Sequence, residues 1–147
     1  MANATSVGPL DHTGAMSSEP RLVTVVLEVA DLDRSVRLYG DALGLDLHLS
    51  DHRGGVHGED DRWTSGRHAA TTWTEGAFLH FALYEAKGGV TTSGVQVSLR
   101  VDDPEAAYAR ALAAGAEAVH PPRQEPWGRS ARVRDPDGNV IELTAPR

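Results

Sequence analysis

The side chains able to do chemistry stand on alternate positions of apolar segments. Val23, Val25, Leu27 and Val29 alternate with Thr24, Val26, Glu28 and Ala30. Val95, Val97, Leu99 and Val101 alternate in the same way with Gln96, Ser98, Arg100 and Asp102. Such two-residue periods describe strands with one apolar side and one polar side. Phe78, His80 and Tyr84 share a side in a later segment, and Glu142 falls between Ile141 and Leu143 in the last one. Arg132 and Arg134 alternate into the same polar set. An imidazole, carboxylates, guanidinium groups, an amide and hydroxyls can orient a ligand or move a proton. Alternation alone leaves open whether they line a pocket or a wetted sheet surface.

Several chemistries are excluded. The chain has no cysteine, so disulfides, thiolate metal sites and cysteine nucleophiles are absent. No phosphate loop, nucleophile elbow or dinucleotide fingerprint occurs. His48, His52, His57 and His68 gather near Glu59, Asp60 and Asp61 in a Gly-rich stretch without regular ligand spacing. That stretch reads as a solvated loop. His120, ahead of Pro121 and Pro122, reads as the end of a strand.

The elements that position these residues occur twice. Asp31 suits a helix cap, with Leu32, Val36, Tyr39 and Leu43 as the apolar stripe and Gly44 as the stop. A short strand at 45–50 follows. Asp103 caps a second helix, Pro104 opens it, Ala107, Tyr108, Ala111 and Leu112 form its stripe, and Gly115 ends it. The caps are 72 residues apart, as are Thr24 and Gln96. Aligning Gly76 with Gly138 sets His80 against Glu142. Each copy reads as strand, helix and three strands, with a Gly-bearing hairpin before the last. The predicted fold is α+β: two paired βαβββ modules form a curved mixed sheet around a groove, with helices outside. Residues 1–20 read as a flexible arm, 21–147 as one domain, with modules at about 21–90 and 93–145. Pairing of the modules favours a pocket for the polar face.

At 147 residues with a net charge of −7, the chain is poorly suited to a phosphate backbone, so no nucleic acid is expected. The acidic balance suits a cationic ligand or simply keeps the protein in solution. No apolar run approaches the ~20 residues of a membrane span, nor does the N-terminus carry a signal segment. A cytoplasmic bacterial protein without membrane partners is the expectation.

The chain resembles the vicinal oxygen chelate superfamily, which includes glyoxalases, extradiol dioxygenases, epimerases and bleomycin resistance proteins. The resemblance rests on Val29-Ala-Asp-Leu-Asp-Arg-Ser-Val-Arg-Leu-Tyr39, on Glu125-Pro-Trp-Gly-Arg129 and on Arg134-Asp-Pro-Asp-Gly-Asn-Val-Ile-Glu-Leu143. It runs from about residue 21 to 145 and is poorest over 51–70. In metal-using members, the resemblance implies a divalent metal held from four strand positions, which here are Thr24, His80, Gln96 and Glu142. Threonine is a poor ligand for Zn, Ni, Co or Fe, and glutamine a weak one. His80, Gln96 and Glu142 are the metal candidates if Ni, Co, Zn, Mn or Fe binds; no cofactor is favoured.

Without metal, the nearer type is the bleomycin resistance protein, an acidic homodimer that sequesters a drug in a groove. The resemblance then implies antibiotic resistance by ligand capture and a homodimer. Thr24, Glu28, Trp63, Phe78, His80, Tyr84, Gln96, Arg100, Trp127 and Glu142 become the ligand-binding residues. Trp127 is either a stacking platform or a tryptophan packing a loop onto the sheet. The alternative is a metal-dependent lyase, isomerase or epimerase of the glyoxalase type, acting on vicinal oxygens with Glu142 or Glu28 as catalytic base.

Overall fold

The structure is a computed structural model that describes residues 22–51, 67–72 and 79–146. The expected N-terminal arm, Trp63, Trp73, Gly76 and Phe78 lie outside the described residues.

The first module begins with β1 (Thr24–Val29), which runs into α1 (Leu32–Val36) and a π-helical continuation over Arg37–Ala42. It continues with β2 (His48–Asp51), β3 (Arg67–Ala70) and β4 (His80–Glu85). The second comprises β5 (Gln96–Arg100), α2 (Pro104–Ala113), β6 (Glu117–Glu125), β7 (Gly128–Arg134) and β8 (Val140–Pro146). Each copy is thus strand, helix and three strands. The sheets are mixed and ordered β1-β4-β3-β2 and β5-β8-β7-β6, with the first strand parallel to the last in each.

The two helix starts superpose in detail. Asp31 and Asp103 both sit at φ −131° and accept a backbone N–H three residues on, from Arg34 and Ala106. Gly44 and Gly115 stop the helices at φ +87° and +97°, conformations that β-carbons disfavour. From cap to stop, the first helix holds one residue more than the second. The π-turn absorbs it: the Leu43 N–H donates to the Leu38 carbonyl, five residues back. Ser35 and Leu38 are buried beside Leu32, Tyr39 and Leu43.

One apolar core lies between the helices and the inner sides of both sheets. Leu27, Val29, Phe81, Leu83 and Ala69 meet Leu32, Leu38 and Tyr39. Ala131, Val133, Ile141 and Leu143 continue the same core to Ala107 and Ala111. Tyr39, fully buried, donates from its hydroxyl to Asp135 Oδ2 at 2.7 Å and so joins the first helix to the turn before β8. Burial, with the adjacent Asp135 charge, raises the Tyr39 phenol far above its ordinary range, so it remains a donor.

Two local expectations need correction. The segment ending at residue 70 is a strand from Arg67, held on both sides by β2 and β4. His120 does not end a strand either. β6 runs on through Pro121 and Pro122 with register shifts around them, which an edge strand tolerates because its outer N–H groups have no partner to lose. No helix of the described residues is long and apolar enough to cross a membrane.

Candidate functional site

Because the helices cover one side of each sheet, the alternate side chains stand on an open face. In the second sheet this face is a grid. Ser98, Glu142, Arg132 and His120 form its middle row from β5 across to β6. Gln96, Val140, Arg134 and Glu117 form the row on one side, and Arg100, Thr144, Ser130 and Arg123 the row on the other. In the first sheet Thr24 pairs with His80, and Val26 with Ala82, Ala70 and His48. The next row is Glu28, Tyr84, His68 and Ser50.

These rows shift the match between modules. Thr24 and Gln96 are equivalent by their 72-residue spacing, and their ladder partners are His80 and Val140. Glu142 therefore corresponds to Ala82, not to His80 as the glycine alignment implies. A two-residue slip leaves every side chain on its original face, so alternation cannot detect it.

Glu142 is the best-defined group of the face. Only 8% exposed, it accepts the Ser98 hydroxyl on Oε2 at 2.8 Å and the Ser130 hydroxyl on Oε1 at 3.0 Å. Arg132 Nη2 lies 3.5 Å from Oε1. Burial alone would raise its pKa, but the Ser98 and Ser130 hydrogen bonds and the Arg132 charge outweigh it and hold the carboxyl below 4.5. The Arg132 Nε–H is itself buried and, among the described residues, without a hydrogen-bond partner. An orphaned buried donor costs about 1–3 kcal/mol and calls for an explanation.

Around it, Arg134 bonds to Glu117 at 3.1 Å and Arg123 pairs with Glu125 at the sheet edge. Arg129 points to the other side, where it pairs with Glu105 of α2. Gln96, Ser98 and Arg100 are exposed along β5. On the first sheet, His68 stacks flat on Tyr84 with ring centres 4.7 Å apart, next to half-buried Glu28. Trp127 tops the β6–β7 hairpin and is 53% exposed.

A divalent metal does not fit Glu142 as it stands. Both carboxylate oxygens accept hydroxyl donors, and a cation there would sit against the Arg132 guanidinium. His80 belongs to the other sheet beside Thr24. Among the described residues no three His, Asp or Glu side chains cluster as a metal site. The hydrogen bonds that join the modules run along the linker and the helices. Thr92 bonds both backbone groups of Glu28, Asn139 bonds Thr92, and Arg110 Nε donates to the Ala42 carbonyl. Two shallow clefts border the helix side, one at Arg37, Asp41 and Arg110, the other at Leu43, Arg100 and Asp102.

Of the residues expected to bind ligand, the sheets place Thr24, Glu28, His80 and Tyr84 on the first face and Gln96, Arg100 and Glu142 on the second. Ser130 is absent from that set, and His48 and His68, read as part of a solvated loop, stand on the first open face. The alternation of Ser130, Arg132 and Arg134 with Arg129, Ala131 and Val133 was the available signal for Ser130. The two histidines lie on four-residue strands, too short for alternation to mark their face.

Residues 21–143 match the sequence profile of the Glyoxalase/Bleomycin resistance protein/Dioxygenase superfamily. No protein of curated function matches the chain. Among solved structures it is similar to TnmS3, an antibiotic binding protein from Streptomyces sp. CB03234. The identity is 27% and the TM-score 0.59, over 88% of this chain and 98% of that one. A glyoxalase/bleomycin resistance protein from the same organism is 28% identical, with a TM-score of 0.55 over 85% and 99% of the two chains. A glyoxalase/bleomycin resistance protein from Albidiferax ferrireducens T118 shares the fold, with a TM-score of 0.61 at 23% identity, over 86% and 98% of the chains.

Proposed function

The chain belongs to the Glyoxalase/Bleomycin resistance protein/Dioxygenase superfamily, and on that footing we propose that it captures a small molecule, a drug or metabolite, without metal chemistry. The observation that carries this reading is the state of Glu142. Its oxygens accept the Ser98 and Ser130 hydroxyls and lie beside the Arg132 guanidinium, which disfavours a cation at this carboxylate and weakens it as a base. Similarity to an antibiotic binding protein at 27% identity supports a ligand of antibiotic type. Capture would combine aromatic contact at Trp127 and Tyr84 with orientation by Thr24, Glu28, His80, Gln96 and Arg100.

The binding unit we propose is a cytoplasmic homodimer of the domain over 21–147. Two sheet edges support it. Val95 and Val101 spend their backbone groups on β8, so the groups of Gln96, Ser98 and Arg100 point outward from β5. Likewise Val23 bonds β4, and the groups of Thr24 and Val26 point outward from β1. Unpaired edges of this kind call for a partner strand. A second copy setting its β5 edge beside β1 would bring the two open faces around one groove.

Elemental analysis of untagged protein, after incubation with Ni, Co, Zn, Mn and Fe and removal of the excess, tests the chemistry. No stoichiometric metal is expected. Close to one metal per chain, lost together with turnover in His80→Ala, would overturn capture in favour of a metal-dependent lyase or isomerase. Titration with planar drugs, read by tryptophan fluorescence and melting temperature, tests the binding. Quenching with a rise in melting temperature is expected.

A further inference from the structure

Arg132 is the central cation of the second sheet's open face, on an inner strand between Glu142 and His120. Its neighbours are already committed: Arg134 bonds to Glu117 at 3.1 Å and Arg123 to Glu125. Arg132 instead reaches Glu142 through Nη2 alone, at 3.5 Å, well beyond a good charge-assisted bond. Glu142 gives its short bonds to two serine hydroxyls. The Arg132 Nε–H is buried without a partner among the described residues, while 34% of the side chain stays exposed. A guanidinium offers five donors in a planar fork. Among the described residues, that fork meets one carboxylate at long range and no hydrogen-bond acceptor at Nε.

We infer that Arg132 determines ligand specificity on this face by taking an acidic oxygen of the captured molecule, a carboxylate, phenolate or enolate. The inference rests on the capture reading and names the ligand class for that site. Glu142 acts through Arg132 as a positioning residue: two serines hold the carboxylate, and its charge draws the guanidinium to that side without occupying its donors. The positive charge that draws the ligand's oxygens is then a side chain. A divalent ion would compete with it for the same carboxylate. The net charge of −7 does not oppose this. Charges elsewhere on the surface are largely screened beyond about 8 Å at physiological salt, so the group in contact decides.

The test uses the full-length, 15N-labelled protein and the arginine Nε–H region of its NMR spectrum. The Arg132 signal is assigned by its loss in Arg132→Gln. The probes are benzoate, salicylate, 2-naphthoate and 1-hydroxy-2-naphthoate, each compared with its primary amide. The acids are expected to move the Arg132 signal and to bind roughly tenfold more tightly than the amides. That preference is expected to vanish in Arg132→Gln. It is also expected to vanish in Arg132→Gln/Glu142→Gln, which keeps the charge balance should the single variant fold poorly. Equal binding of acids and amides, a preference that survives both variants, or an Arg132 signal that no acid moves would each overturn the inference. Amides that quench tryptophan fluorescence while acids do not would overturn it and leave the capture reading standing.

Discussion

Glu142 shows how three neighbours convert a residue type associated with metal binding into an anchor. Ser98, Ser130 and Arg132 favour its ionised form in the folded chain, so its folded pKa lies below the ordinary 4.5. A depressed carboxylate contributes stability that is fully present above its unfolded pKa and lost as pH falls through its folded value. Wild-type stability is therefore expected to fall below about pH 4.5, more steeply than that of Glu142→Gln; parallel melting curves for the two from pH 6 to pH 3 would contradict this. Tyr39 is a second anchor. Removing its hydroxyl in Tyr39→Phe takes one of four donors from buried Asp135, whose other partners are the Asp137 and Asn139 N–H groups and the Asn139 amide. The expected cost is about 1–3 kcal/mol, read as a shift of the urea midpoint at unchanged slope.

At the scale of elements, the repeat is held by caps and glycines, and its differences are absorbed locally. Deleting exposed Asp41 would make the first helix as long as the second and let Leu43 bond four residues back, as in a regular helix. That variant is expected to fold with little change in stability. Deleting exposed Ala109 from α2, which has no residue to spare, should rotate the Ala107–Ala111 stripe off the core and unfold the second module. Circular dichroism melts of the two deletions decide the point. The β6–β7 hairpin is stricter. A β-carbon on Gly128, at φ +147°, would lie 2.2 Å from the Ala145 carbonyl oxygen. Gly128→Ala is expected to cost on the order of 2 kcal/mol or more, measured by denaturant unfolding.

For the whole molecule, the core is continuous across both modules while the candidate groups divide between two open faces. A groove between unlike faces is the consequence if copies associate through β1 and β5. One would present Glu28, Tyr84, His68 and His80, the other Arg100, Arg132, Ser98 and Glu142. Light scattering is expected to return twice the mass of 15.7 kDa. Val26→Pro, at a position whose N–H points outward from β1, should return it to a monomer with the fold intact. A monomeric wild type would contradict the shared groove.

Much of this architecture is legible in the residues alone because it follows from short-range physics. Two-residue alternation marks β1 and β5, and the cap-to-glycine intervals mark both helices. The open-face assignment of Thr24, Glu28, Gln96, Arg100 and Glu142 follows from strand period. What the sequence by itself determined is the repeat, the layer order and the side of each sheet that carries polar groups. Three matters waited on the tertiary structure. The two-residue offset between His80 and Glu142 is set by ladder hydrogen bonds, to which a period of two is blind. The π-turn in the first helix depends on how Leu38, Tyr39 and Leu43 reach the shared core. The condition of Glu142 depends on β5 and β7, far apart in sequence, placing Ser98, Ser130 and Arg132 around one carboxylate. Strand period records the face of a residue, whereas its hydrogen-bond partners are chosen across the sheet.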